Sequence, residues 1–327
     1  MLRPMHVLAA PLTFIPRYQS VLWGGRRMAA WRTDLPDGPI GESWDIADHE
    51  RGMSVVADGP LAGTSLRTLT QEHGLALVGG HFSGGDFPLM VKLIDAQDRL
   101  SVQVHPDDRL ARELGVGVRG KTECWLMLTS GGELYVGTKP GLDRAGFEAA
   151  LEQHRLAEVL NRFEATDGDF YFLAARTVHA LGSGCLLYEV QQTCDVTFRV
   201  DDWGRVGADG RPRALHREQS LATIDWSAGG RAVASPVQAH ALGGTVRYLA
   251  DCAYFTVEER YADATGGGGN GACSIVVCLD GTGTLATAGG ASVLHAMRSY
   301  LVPAQAGAWT ARADSGRPLR LLVSQPV

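Results

Sequence analysis

The chain has 327 residues, and 30 Lys+Arg against 36 Asp+Glu give a formal charge of −6, which suits about two domains and argues against non-specific nucleic-acid binding. A hydrophobic content of 45% excludes a disordered chain, and 41 glycines without a G-x-y period exclude collagen. Glycine at that density means many turns, and with them an all-β body of short strands.

Residues 1–16 carry an apolar run that Pro11 and Pro16 interrupt, so neither a signal peptide nor a membrane span is expected, and the protein is expected to be cytoplasmic. Helical spacing predicts a short helix over 65–73. Strand-like runs follow over 91–94, 101–105, 123–128 and 133–137, divided by turn signals such as Ser130-Gly131-Gly132. A second helical pattern covers 143–163, broken near His154, and carries Phe147, Ala150, Leu151, Val159, Leu160 and Phe163. Strands are expected again over 169–173, 185–191 and 196–200, then a third helix over 215–224.

Ser227-Ala228-Gly229-Gly230 reads as a linker and divides the chain into 1–230 and 231–327. Beyond it, runs over 254–261, 274–279, 300–302 and 319–323 predict a smaller β unit. Residues 266–269, four glycines in a row, are expected at a flexible tip; no Lys-Ser/Thr follows, so a phosphate-binding loop is not expected. The six cysteines, with no C-x-x-C spacing, lie among apolar neighbours and read as reduced thiols.

Residues two apart on a strand share a face, so Gln103 and His105 point one way while Val102 and Val104 point the other. The same spacing pairs Lys121 with Glu123, a carboxylate flanked by Cys124 and Trp125 that needs a cation if it is enclosed. His179 follows a strand and a turn. Taken singly, each fits a solvated strand face, a cross-strand ion pair or a structural histidine. Together Gln103, His105, Glu123 and His179 form an N2O2 set of the kind zinc accepts. Arg199 and Arg205 offer guanidinium forks to a phosphate or oxyanion, or pair with Asp195, Asp201 or Asp202.

Lys92-Leu-Ile-Asp-Ala, Leu100-Ser-Val-Gln-Val-His-Pro-Asp-Asp108, Gly120-Lys-Thr-Glu-Cys-Trp125, Thr177-Val-His-Ala-Leu-Gly182 and Glu189-Val-Gln-Gln192 occur in that order. With Val21-Leu-Trp-Gly-Gly25 and Pro39-Ile-Gly-Glu-Ser-Trp44 they resemble type I mannose-6-phosphate isomerases in their short bacterial form, from about Phe14 to about Trp226.

The resemblance implies a mainly β protein, with a cupin-type jelly-roll catalytic domain carrying a few inserted helices and a smaller C-terminal β domain. It implies one zinc ion per chain on Gln103, His105, Glu123 and His179, and a sugar-phosphate substrate. Arg199 matches the family's active-site arginine, Ser101 and Lys121 match further active-site positions, and Glu189 matches a cleft carboxylate. Longer relatives place a phosphate-binding lysine six residues after that arginine; here Arg205 stands at that offset. The implied reaction interconverts mannose 6-phosphate and fructose 6-phosphate through a cis-enediolate, with Lys121, its pKa lowered by a nearby cation, or Glu189 carrying the proton. No nucleic acid or membrane partner is expected, and a monomer or homodimer fits. A metal-dependent cupin oxygenase and a non-catalytic sugar-phosphate-binding cupin are the rival readings; Gln103, Lys121 and Arg199 disfavour the first, and the full residue set the second.

Overall fold

The computed structural model describes residues 8–80, 82–206, 210–227, 237–241, 244–314 and 316–327. Ala228, Gly229 and Gly230 of the expected linker lie outside the described residues.

In chain order the first strands are β1 (Leu12–Ile15), β2 (Arg17–Gly25), β3 (Ile40–Ile46), β4 (Val55–Val56), β5 (Leu89–Ala96), β6 (Val102–Val104), β7 (Glu123–Met127) and β8 (Glu133–Thr138). Next come β9 (Leu160–Glu164), β10 (Phe170–Leu173), β11 (His179–Leu181), β12 (Cys185–Gln192), β13 (Phe198–Asp201), β14 (Val237–Ala241), β15 (Gly244–Asp251) and β16 (Phe255–Ala262). The last are β17 (Ala264–Gly268), β18 (Ser274–Asp280), β19 (Gly283–Thr287), β20 (Gly290–Leu294), β21 (Arg298–Val302), β22 (Ala308–Ala313) and β23 (Leu319–Pro326). Helices are few: α1 (Leu66–Leu77), α2 (Asp108–Glu113), α3 (Arg144–Glu152), α4 (Leu156–Val159) and α5 (Arg217–Thr223). Side-chain oxygens of Ser65, Asp107 and Asp143 accept the first free amides of α1, α2 and α3, which fixes where those helices begin. Among the described residues no helix is long and apolar enough to cross a membrane.

Two compact units result. One is drawn from Tyr18–Ser43 and Lys92–Ala234, the other from Met1–Arg17, Trp44–Val91 and Ser235–Val327. A single cut after residue 230 does not describe this partition. The N-terminal strand β1 pairs with β21 at Leu12↔Leu301 and with β4 at Phe14↔Val56, so early residues belong with the C-terminal strands.

In the first unit the sheet β13-β6-β11-β8-β9 lies opposite strands of the sheet β10-β7-β12-β5-β2-β3, with β3 and β5 contributing residues 40–43 and 92–96. Trp125, Met127, Tyr171, Leu173 and Leu187 from one sheet meet Leu134, Val136 and Leu181 from the other, forming the sandwich interior. On the outer face of the five-stranded sheet, Val102, Val104, Ala180, Phe198 and Val200 pack beneath Phe147, Ala150 and Leu151 of α3 and beside Leu221 and Ile224. One face of β6 is therefore apolar and helix-covered; its other face is left for chemistry.

Two expectations are corrected. The helical pattern over 143–163 breaks at His154 as expected, with a left-handed φ of 55°, and resumes in α4, but residues from Leu160 form the strand β9 instead. Leu160 packs in the helix-covered core and Phe163 against the sandwich interior, so a three-residue spacing that suggests one helix face here serves the two faces of a strand. The glycines at 266–269 are not a tip. Gly266, Gly267 and Gly268 lie in β17, paired with Thr310, Trp309 and Ala308 of β22. A Cβ on Gly267 would fall 2.9 Å from the Trp309 ring, so glycine there allows close approach to an indole. In this second unit Val276, Leu285, Tyr300, Trp309 and Leu321 share a core.

Candidate metal centre and the charges around it

The site is built from strand register. Gln103 on β6 lies directly opposite His179 on β11 and, on its other side, Arg199 on β13, so the three side chains share the face that α3 does not cover. From the opposing sheet, β7 supplies Glu123, and β12 places Glu189 opposite Trp125 and Gln191 opposite Glu123.

His105, Glu123 and His179 are buried, and one ligand atom from each falls within 4.8 Å of the others. Glu123 Oε1 lies 3.2 Å from His179 Nε2, and Oε2 lies 3.7 Å from His105 Nε2. Each imidazole is oriented through its other nitrogen: His105 Nδ1 donates to Val196 O at 2.8 Å and His179 Nδ1 to Thr177 O at 2.9 Å. Holding the proton on Nδ1 leaves both Nε2 lone pairs directed at Glu123. The Gln103 amide meets His179 Nε2 at 3.1 Å. Arg176, in a left-handed turn with φ 74°, donates its amide to His105 O at 2.7 Å and ties the segment before His179 to the segment of His105.

Burial lowers the His179 imidazole to about 4. Burial, with Lys121 and His179 adding, lowers His105 well below its usual value, so both rings are neutral near pH 7. For Glu123, burial raises the carboxyl against the pull of Lys121, and Glu189 adds to the rise. Among the described residues neither Glu123 oxygen has a hydrogen bond of good geometry. Two neutral imidazoles aimed at such a buried carboxylate, with an amide beside them, are the donor set of a divalent cation. The residues fit one.

Lys121 Nζ is 2.6 Å from Glu123 Oε2, 3.4 Å from His105 Nε2 and 3.8 Å from Glu189 Oε1. Glu189 Oε1 accepts the Trp125 indole N–H at 3.0 Å, and its Oε2 lies 3.4 Å from Lys92 Nζ, which is 3.6 Å from Glu42 Oε2. A file of alternating charge thus runs from Glu42 through Lys92, Glu189 and Lys121 to Glu123. Burial opposes the charge on Glu189, but Lys121 and Lys92 prevail and hold its carboxyl below the usual range. The expected lowering of Lys121 is reversed by the protein groups: burial acts downward, and Glu123 and Glu189 outweigh it, so the ammonium is held above its ordinary value.

Arg199 forms no ion pair among the described residues; Nη1 donates to Ala214 O at 2.8 Å, while Nε is buried without a hydrogen-bond partner. Burial, with Arg213 adding, lowers its pKa. Arg205 takes the pairing weighed against a ligand role: its Nη2 is 2.6 Å from Asp202 Oδ1, and Nη1 donates to Arg99 O. Arg213 grips the same carboxylate, with Nε 2.7 Å from Asp202 Oδ2. Arg205, Arg213 and Asp202 line a cavity of about 310 Å³ with Ser20, Leu22 and Trp23. Ser101, immediately before β6, is buried.

Register therefore brings Gln103, His105, Glu123, His179, Lys121 and Glu189 together. Lys92, Glu42, Trp125 and Arg213 had no role assigned from sequence, whereas Asp202 was a candidate partner of Arg205. Lys92 carried a signal, being a lone charge within the apolar run Leu89-Met-Val-Lys-Leu-Ile of β5. Among the described residues the second unit shows no comparable His/Cys/Asp/Glu group, and all six cysteines are free.

Comparison with known proteins bears on this arrangement. Residues 12–119 match the family model described as phosphomannose isomerase type I, catalytic domain. A mannose-6-phosphate isomerase of Bacillus subtilis is 36% identical over 250 residues, covering 76% of this chain and 78% of that one. One from Streptococcus mutans is 36% identical over 257 residues, with the same coverage, 76% and 78%. The crystal structure of the Bacillus subtilis mannose 6-phosphate isomerase superposes with a TM-score of 0.88 at 28% identity, over 96% of this chain and 99% of that one.

Proposed function

The chain belongs to the type I phosphomannose isomerase family, and on that premise we propose that this mannose-6-phosphate isomerase of cupin fold works with one zinc ion and through a cis-enediolate. The observation that carries the metal reading is the pair of imidazoles whose Nδ1 atoms are tied to backbone carbonyls while their Nε2 atoms converge on Glu123. Gln103, His105, Glu123 and His179 would hold the ion. When bound, zinc supplies Lewis-acid polarisation of the sugar's carbonyl and hydroxyl oxygens.

The remaining work falls to the chain's own groups. Lys121, set between two carboxylates, is held as an ammonium; as the sugar opens, Nζ gives a proton to the ring oxygen and takes back the one released from the C1 hydroxyl. Glu189, faced by an indole N–H and two lysines, is held as a carboxylate and takes the proton from C2, returning it to C1, while the proton of the C2 hydroxyl passes to the C1 oxygen across the enediolate. Arg199, with its unmet Nε donor, supplies positive charge to the enediolate. Ser101 contacts the sugar, and Arg205, held with Arg213 on Asp202, lends the phosphate positive charge. A net charge of −6 offers a dianionic substrate nothing, so attraction is local, from Lys121, Arg199, Arg205 and the ion.

A coupled assay from mannose 6-phosphate to fructose 6-phosphate, run after chelation and again after zinc is restored, tests the metal reading. Activity that survives complete chelation would sink it. For the proton, Glu189→Gln is expected to abolish exchange of the C2 hydrogen with solvent, whereas Lys121→Met retains exchange on the open-chain sugar; full exchange in Glu189→Gln removes Glu189 as the base.

A further inference from the structure

The segment that delivers Lys121 and Glu123 is not itself a strand until Glu123, yet it is held at three successive amides. Gly120 N–H donates to Asp108 Oδ1 at 2.7 Å, Lys121 N–H to Pro106 O at 3.0 Å, and Thr122 N–H to Gln192 Oε1 at 2.9 Å. The two side chains are joined to each other, Gln192 Nε2 donating to the same Asp108 Oδ1 at 3.0 Å. Gln192 also donates its own amide to Thr122 O at 3.1 Å. The approach is so close that a Cβ on Gly120 would fall 2.4 Å from Pro106 O and 2.5 Å from Asp107 C.

Asp108 lies three residues after His105, and Gln192 three residues after Glu189. The two segments that carry those site residues therefore both reach across and grip the lead-in to Lys121 and Glu123. We propose that Asp108 and Gln192 are positioning residues: acting as one hydrogen-bonded clamp, they fix the Gly120–Lys121–Thr122 backbone and so set Lys121 Nζ against His105 and Glu189 and Glu123 against the two imidazoles. This inference rests on the reading of Lys121 and Glu123 given above. Its chemistry is specific. Asp108 Oδ1 acts only as an acceptor for two donors, so an amide oxygen can replace it; Gln192 must accept from Thr122 and donate to Asp108 at once, so a carboxylate cannot. Groups that orient metal ligands in this way typically change affinity or turnover by about 10- to 100-fold when removed.

The test compares Asp108→Asn, Asp108→Ala and Gln192→Glu in the full-length zinc-loaded protein, reading kcat and KM, zinc retention against a chelator, and hydrogen exchange at the Gly120 and Thr122 amides. Asp108→Asn is expected to stay within about threefold of the parent in every measure. Asp108→Ala and the isosteric Gln192→Glu are expected to lose about 10- to 100-fold in kcat with little change in KM, to release zinc more readily, and to exchange the Gly120 and Thr122 amides faster. The proposal is overturned if Asp108→Asn falls as far as Asp108→Ala, or if those amides are freed in Asp108→Ala while kcat and zinc retention hold. Should Asp108→Ala fail to fold, Gln192→Glu with parental kcat and zinc retention overturns it alone. An inactive zinc-loaded parent would instead count against the function, since the clamp is judged by differences from the parent in amide exchange and zinc retention.

Discussion

Trp125 and Glu189 face each other directly across β7 and β12, and the indole N–H of the first donates to Oε1 of the second at 3.0 Å. The same indole packs among Met127, Leu173 and Leu187, so one side chain belongs both to the apolar interior and to the charged file. Trp125→Phe keeps most of that packing and removes the donor. Leaving a buried carboxylate oxygen short of one hydrogen bond is expected to cost about 1–3 kcal/mol in urea unfolding and to lower kcat. Unchanged stability and turnover in Trp125→Phe would show the contact to be idle.

Lys92 is the middle of the charge file, within 4 Å of both Glu42 and Glu189 and almost fully buried. Breaking a buried pair by removing one partner typically costs about 3–5 kcal/mol, because the other charge stays behind unpaired. Lys92→Met is expected to fall in that range, and Lys92→Met combined with Glu189→Gln to cost less than the sum of the single changes. A double-mutant cycle on unfolding free energy measures the difference, and strict additivity would mean that the two groups do not interact.

Zinc that binds only the folded protein should stabilise it by mass action, about 4 kcal/mol when free metal stands a thousandfold above its dissociation constant. The thermal midpoint is therefore expected to drop on chelation and to recover with added zinc. In Glu123→Gln and His179→Ala the midpoint should no longer respond, and zinc measured by elemental analysis should fall well below one per chain. Full zinc occupancy in His179→Ala would remove that residue from the ligand set.

The two guanidiniums on Asp202 give a different kinetic signature. Arg205 and Arg213 share that carboxylate at the edge of the cavity, so either is expected to act on binding rather than on the proton steps. Arg205→Ala and Arg213→Ala should raise KM for mannose 6-phosphate about tenfold or more with kcat nearly retained, the pattern of an interaction made equally in ground and transition states. A fall in kcat at constant KM would place these arginines at the reacting carbons instead.

In the second unit, Gly267→Ala tests the packing of β17 over Trp309. A Cβ 2.9 Å from the ring forces a shift, and overpacking of this kind costs about 1–3 kcal/mol. The variant is expected to unfold at lower urea concentration while its kcat stays parental. Parental stability would mean that β17 shifts freely.

Much of the centre was legible because its logic is period two. Gln103 with His105, set against Val102 with Val104, states which face is apolar before any partner strand is known, and the register of β6 with β11 and β13 completes the row. Register itself was hidden: nothing local says that His179 and Arg199 flank Gln103, or that Lys92 reaches Glu189. Leu160 and Phe163 misled for the same reason, since a spacing of three is read as one helix face until both sides of the strand are seen to be covered. The glycines of β17 misled differently; their partner is Trp309, some forty residues on, and the sequence alone gives no view of what a missing side chain makes room for. The partition into units was hidden by the return of β1 to β21.

β6 is only three residues long, and its two faces go to opposite fates: Val102 and Val104 lie under α3, and Gln103 lies beside His179. A slip of one residue would turn the valines toward Glu123 and drive an amide and an imidazole beneath the helix, against Phe147, Ala150 and Leu151. The apolar seal under α3 thus acts as a proofreader for the donor set. A chain that has closed that core has already placed its ligands, and one that has mispaired β6 pays in core stability before it ever meets a metal ion.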